Sequence, residues 1–242
     1  MTTKSDLYGL LDEAEGLMED LRDAVNFVLQ HLPFYVPDSV TDKILSEWDK
    51  LSAKATAEIS SMRTSVDESG EEVSLRAAAD GWSDRVKAGI SGLSGRIDEG
   101  GLTAEDATTF QGSAADAYRA IIPAQKGAID AIGGHPDDIS SGLDELAGAV
   151  QTWTNAYIVA VLALLGGIGS AIAGVAASET GVGAVVGLAG ALVCFVTLAG
   201  SVLYAETELN NAVQTVEGKW RALINEWSGF DGQAWPNAVF PH

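Results

Sequence analysis

The residues that could do chemistry are few in this 242-residue chain. His31, His135 and His242 show no metal-ligand spacing. Cys194 is the only cysteine, which excludes an internal disulfide, and its apolar surroundings predict a small buried hydrophobic residue. The chain has no glycine-rich phosphate loop after a strand, no GxSxG nucleophile motif and no Cys/His pair of a kind suited to catalysis. We therefore predict no catalytic residue, no metal and no cofactor, and interpret the carboxylates as solvated helix faces.

The charge is strongly negative and unevenly spread. The chain carries 34 acidic and 14 basic residues, a net charge of −20, and 28 of the acidic residues lie within residues 1–145. A surface this acidic repels phosphate backbones, so we expect no nucleic-acid partner. Between residues 146 and 205, by contrast, Glu179 is the only charged residue.

The apolar spacing predicts helices throughout, and no segment alternates as a strand would. Apolar residues recur every three or four positions in residues 5–32, and Pro33 and Pro37 break this helix. Further helices are predicted from just after Pro37 to about Val66, from about Glu71 to Gly100, and from Ser113 to Ile132. The predicted first stripe is Leu7, Leu10, Ala14, Leu17, Leu21, Ala24 and Val28, and the third is Val73, Trp82, Val86, Ile90, Leu93 and Ile97.

Two uncharged runs of 23 residues, 156–178 and 181–203, form a central apolar helical hairpin with Glu179 at its tip. About 20 helical residues cross a hydrocarbon core of about 30 Å, so each arm is long enough. Small residues four apart allow close helix packing; they are Gly166, Ser170 and Gly174 on one arm and Gly183, Gly187 and Ala191 on the other. The alternative is a buried hairpin at the centre of a soluble bundle.

The flanks of this hairpin lack the basic anchors of a resident membrane protein. Asp144 and Glu145 precede it, and Glu206 and Glu208 follow it. This pattern favours a hairpin that is shielded first and inserted later. One acid at the tip costs about 2.5–3.5 kcal/mol to translocate, so we expect low pH to promote insertion.

The predicted fold class is all-α, a long-helix bundle around the central apolar hairpin. We divide the chain into an N-terminal amphipathic helical pair (1–70), a helical hairpin (71–135), the apolar hairpin with an amphipathic extension (136–228) and an irregular tail (229–242). The N-terminus has no apolar segment followed by a small-residue cleavage site, so we expect no general secretory signal.

The stretch FQGSAADAYRA, residues 110–120, resembles the turn and second helix of the WXG100 family, helical hairpins exported by type VII (ESX) systems of actinobacteria and firmicutes. Phe110 and Gly112 match its W-x-G turn, with Phe in place of Trp, and Tyr118 matches the aromatic of its Ala-rich helix. The resemblance covers about residues 73–132. It implies a Tyr-x-x-x-Asp/Glu export signal, for which Tyr204 with Glu208 is the better placed of two matches, and a WXG100-type helical partner or a homo-oligomer.

The overall plan is also similar to that of helical pore-forming toxins, which hide an apolar hairpin in a soluble bundle. Together these features predict a type VII-exported, membrane-interacting effector or secretion-associated protein, secreted or held at the cell envelope, whose partner is a lipid bilayer and which could form a pore. The alternatives are a resident two-span membrane protein and a soluble helical partner-binding protein without catalysis.

Overall fold

The computed structural model describes residues 4–97, 111–177 and 181–226. These residues form helices and no strand, which confirms the predicted all-α class. The helices are α1 (Lys4–His31), α2 (Asp38–Glu68), α3 (Glu72–Asp80), α4 (Lys87–Ser94), α5 (Ser113–Ile132), α6 (His135–Ala176) and α7 (Val182–Glu226), with a π-helical turn at Gly81–Val86 between α3 and α4.

The chain divides into two compact units, each assembled from two separated stretches. The first unit contains residues 1–71 and 149–210, which include α1, α2 and the apolar hairpin. The second contains residues 72–148 and 211–242, which include α3, α4, α5 and the remaining parts of α6 and α7.

The core of the first unit is a set of heptad seams. The buried residues of α1 are spaced four and three apart, except where the partly buried Met18 stands between Ala14 and Leu21, and they are Leu7, Leu11, Ala14, Leu21, Val25 and Val28. The hairpin repeats this spacing at Tyr157, Val161, Leu164, Ile168, Ala171 and Val175 on α6, and at Ala184, Leu188, Ala191, Phe195, Leu198, Val202 and Ala205 on α7. With α2 these residues form one buried cluster. The four helical segments therefore pack like a coiled-coil bundle. In such a bundle only two positions in every seven need to be apolar and buried.

In α1 the stripe predicted from the sequence lies slightly to one side of the observed seam. Leu10, Leu17 and Ala24 were expected in it, but they are only partly buried at its edge, while Leu11 and Val25 are fully buried. Both sets repeat every seven residues, so spacing alone does not distinguish them.

Polar contacts also hold α1 against α2. The hydroxyl of Tyr8 donates to the carboxylate of Asp67, and this bond raises the pKa of Tyr8. Arg63 donates to Asp12 at 2.5 Å, which raises the pKa of its guanidinium. Because each contact joins the start of α1 to the end of α2, the two helices are antiparallel.

The segment from Glu72 to Ser94 departs from the single helix that the sequence predicts. The π-helical turn at Gly81–Val86 adds a residue to one turn, which rotates the residues that follow. Three members of the predicted stripe, Val73, Val86 and Leu93, are exposed. Downstream, α5 begins at Ser113, as the sequence predicts, after Gly112 at a φ of 99°.

Candidate membrane-binding surface

The exposed side of the apolar hairpin is the most unusual surface among the described residues. We call it the outer face of the hairpin; its large exposed side chains are Val159, Leu162, Val182, Val186, Val193, Val196 and Leu203. Val186, for example, is 66% exposed. Singly exposed apolar residues are ordinary, but a continuous apolar surface indicates an interaction site.

Packing does not require this surface to be apolar. The seam positions alone bury the hairpin against α1 and α2. At the corresponding positions outside the seam, α1 carries exposed charges such as Glu13, Glu19 and Asp20. The two halves of one bundle therefore have opposite surfaces, a charged one and an apolar one.

Two helices among the described residues are long and apolar enough to cross a membrane, one on each arm. Their most apolar 18-residue windows have mean hydropathies of 2.3 and 2.4, and only 33% and 28% of these windows are buried. The core helix of a soluble protein would be mostly buried, so burial inside this chain accounts for a minor part of the hairpin's apolar character.

The two arms approach closely through glycines. A Cβ added at Gly187 would lie 3.2 Å from the carbonyl oxygen of Ala171, and one added at Gly174 would lie 3.5 Å from the Cα of Gly187. The carbonyl oxygen of Gly183 lies 3.8 Å from that Gly174 position. Close backbone contact of this kind is what small residues permit.

The other small residues that the sequence singles out lie elsewhere. A Cβ at Gly166 would meet nothing within 4 Å, and Ser170 is exposed. Both line a groove of about 350 Å³ between the arms. Gly167, which the sequence did not single out, packs instead, because a Cβ there would lie 3.0 Å from the Cβ of Cys194.

Cys194 corrects one expectation. The sequence predicts a buried small hydrophobic residue, but Cys194 is exposed on the outer face of the hairpin. It lines both the 350 Å³ groove and an adjoining groove of about 870 Å³. The prediction was wrong because an apolar run indicates burial only when the whole run is inside, and here most of it is not fully buried.

A polar cluster joins three helices at the end of the hairpin seam where Tyr157 and Ala205 lie. The hydroxyl of Tyr157 donates to Glu206 at 2.6 Å, and the hydroxyl of Ser65 donates to the same oxygen. Tyr157 is fully buried, and its ring also packs on Trp153 with centroids 4.2 Å apart. Glu206 therefore links α2, α6 and α7, a role that the sequence did not predict because the partners are 49 and 141 residues away.

At its opposite end the hairpin meets the connection between α1 and α2. Gly181 has a φ of 77°, and a Cβ there would lie 3.0 Å from Leu32 and 3.1 Å from Val40. Only glycine fits such a position without strain. Glu179, the predicted tip residue, lies outside the described residues.

The residues of the predicted export motifs are exposed where they are described. Tyr204 and Glu208 are both exposed and one helical turn apart on α7. Gly112 and Tyr118 are also exposed, at the start of α5 and on its second turn. Phe110 lies outside the described residues.

A third groove, of about 600 Å³ and lined mainly by apolar side chains, lies within the second unit. Trp82, Ile132, Leu143 and Trp220 are among the residues that line it. The indole of Trp220 crosses Gly142, where a Cβ would lie 2.8 Å from its Nε1 atom.

Neither metal ligation nor likeness to a known protein assigns an activity. Among the described residues, no three His, Cys, Asp or Glu side chains are grouped so that they could hold a metal ion. No protein-family model, no curated protein and no solved structure matches the chain. The surface chemistry of the hairpin is therefore the basis for a functional proposal.

Proposed function

We propose that this chain is a membrane-interacting helical protein whose apolar hairpin, residues 156–203, enters a lipid bilayer. The observation that carries the proposal is the uncharged outer face of the hairpin, which packing within the bundle does not require. Transfer of its exposed valines and leucines from water into lipid is favourable by about 25 cal/mol per Å² of apolar surface. Both arms have internally bonded helical backbones, as a bilayer demands.

The proposed route is delivery rather than residence. The heptad seam shields one side of each arm against α1 and α2, while the acidic flanks supply no basic anchor for ordinary insertion. Export by a type VII system is the delivery route that the WXG100-like turn supports. Exposed Tyr204 and Glu208 are available to a secretion apparatus. Several inserted hairpins, packed through the groove that Gly166 and Ser170 line, would make a pore.

The test follows Cys194, which gives one labelling site on the outer face. An environment-sensitive fluorophore on Cys194 is expected to shift to the blue when the protein floats with phosphatidylcholine vesicles, and the hairpin is expected to gain protection from protease. Because Glu179 must be neutralised to cross, both signals should be stronger at pH 5 than at pH 7.5, and Glu179→Gln should reduce this difference.

The matched control compares two lysine substitutions at exposed sites. Val193→Lys puts a charge on the outer face of the hairpin and should abolish flotation, while Leu45→Lys, on the charged side of α2, should leave it unchanged. A protein that stays in solution with an unshifted fluorophore would show that the outer face serves another purpose.

The second candidate function is a resident two-span membrane protein whose helical domain binds a partner. The long, apolar arms favour it equally, and their missing basic flanks oppose it. Recovery of the protein only from membranes, with both ends on one side and none in the culture medium, would favour residence over export.

A further inference from the structure

We infer that the connection between α1 and α2 is a preformed aromatic anchor that binds the interfacial layer of a bilayer and holds the start of α7 close to it. The inference rests on the proposed function and adds the part of the first unit that touches lipid first. It concerns residues 33–36, the aromatic turn, which the function proposed for the hairpin does not use.

The aromatic turn presents two rings to solvent. The N–H of Val36 donates to the carbonyl of Pro33 at 2.9 Å, which makes Phe34 and Tyr35 the central residues of a β-turn. Phe34 is 101% exposed and Tyr35 is 68% exposed. Their rings pack edge to face with centroids 5.8 Å apart. Two large exposed rings side by side are costly in water and indicate a surface that binds something apolar.

The turn is held in this shape by its own sequence. Pro33 and Pro37 restrict the backbone on both sides of the two rings, so little conformational freedom is lost on binding. At the end of α1, Phe27 is also exposed. It lies one helical turn before His31 and stacks on that residue with ring centroids 4.2 Å apart. Aromatic residues therefore extend from the last turn of α1 into the connection.

The position of the turn selects a bilayer as its occupant. Leu32 and Val40, which flank the turn, are the side chains that Gly181 packs against at the start of α7. The exposed rings thus lie at the end of the first unit where the apolar arm begins, with exposed Val182 and Val186 on that arm. Aromatic side chains are enriched where a membrane-spanning segment meets the interface.

The charge around the aromatic turn also indicates which class of lipid headgroup it binds. No charged residue lies between His31 and Asp38, and the start of α2 carries Asp38, Asp42 and Lys43, a net charge of −1 over residues 38–43. Such a surface suits a zwitterionic headgroup layer better than an anionic one.

The experiment measures partition onto phosphatidylcholine vesicles for the full chain and for a Phe34→Ser, Tyr35→Ser double variant. Because both side chains are exposed, the variant should keep its circular dichroism spectrum and unfolding temperature. We expect its partition coefficient to fall about tenfold or more. Val73→Ser, which removes an exposed apolar side chain from α3, is the positional control and should leave partition unchanged.

A fluorophore on the aromatic turn measures how deeply the turn enters the bilayer. Tyr35→Cys in a Cys194→Ser background should be quenched by a nitroxide at the headgroup and less by one deep in the acyl chains. A Cys194 fluorophore in the otherwise unaltered chain reports the hairpin separately. If Cys194 enters lipid while the double variant partitions normally, the anchor is overturned and the membrane function stands; if neither probe meets lipid, both fail.

Discussion

Gly187 and Gly190 lie three residues apart on α7 and meet different surroundings. Gly187 faces the backbone of Ala171 on the other arm, whereas a Cβ at Gly190 would meet nothing within 4 Å. Inside a helix, glycine is less stabilising than alanine by about 1 kcal/mol. Where no close contact requires it, glycine therefore only weakens the helix. The two positions therefore separate the packing role of glycine from its helix-weakening effect.

We expect Gly187→Ala and Gly190→Ala to change stability in opposite directions. Gly187→Ala pushes its methyl against a carbonyl oxygen and should lower the free energy of unfolding by about 1–3 kcal/mol. Gly190→Ala should raise it by about 0.5–1 kcal/mol, because only helix propensity changes. Urea unfolding followed by circular dichroism measures both, and equal effects would show that the arms do not touch at Gly187.

The helices are joined by a few cross-contacts in addition to their seams. Glu206 accepts hydrogen bonds from Tyr157 on α6 and Ser65 on α2, so one carboxylate connects three elements. Hydrogen bonds to charged groups contribute about 1.5–3 kcal/mol, more than neutral ones. This cluster is therefore the principal polar tie between the hairpin and the helices that shield it.

Removal of the Tyr157 hydroxyl should loosen the hairpin without changing its apolar seam. Tyr157→Phe is expected to lower the free energy of unfolding by about 1.5 kcal/mol, because the ring stays packed while Glu206 loses one of its two hydrogen-bond donors and keeps Ser65. Hydrogen exchange should quicken near Glu206. Thr64→Val, at the residue beside Ser65, is the control, since the Thr64 hydroxyl donates to Ser60 within α2. If both variants lowered the free energy of unfolding equally, the Glu206 cluster would not connect the hairpin to α2.

The sequence predicted elements better than surfaces. The helix breaks at Pro33 and the start at Ser113 follow from local backbone chemistry, and the heptads of α1 are visible because polar residues separate them. In the two arms of the hairpin the residues are uncharged and mostly apolar or small, so no contrast distinguishes buried Leu164 from exposed Leu162. The π-helical turn, the Glu206 cluster and the exposed Phe34 depend on contacts or on backbone geometry that a period cannot encode.

For the whole molecule, the net charge of −20 would oppose the proposed binding of the hairpin to anionic membranes. Coulomb repulsion from anionic headgroups reaches about 10 Å at 0.1 M salt, and further at lower salt, whereas the apolar attraction is local. Lipid composition and ionic strength should therefore control binding together.

We expect flotation with phosphatidylcholine vesicles to exceed flotation with phosphatidylglycerol-rich vesicles at low salt. The difference should shrink as salt rises to about 1 M, where the Debye length is about 3 Å. Vesicle composition and salt are varied independently, with Cys194 fluorescence as the readout. Tighter binding to the anionic vesicles would show that a basic patch, and not the apolar surface, directs association.

The seam of the hairpin also divides its residues into two groups, those that fill the bundle and those that face outward. A screen that scores only whether the chain folds should accept lysine or glutamate at Val159, Val186, Val193 and Val196, since none of these side chains is needed to fill the bundle. A screen that scores what the protein does to its target should reject them. The gap between the two tolerance maps, position by position, would outline the working surface of this protein before any partner is known.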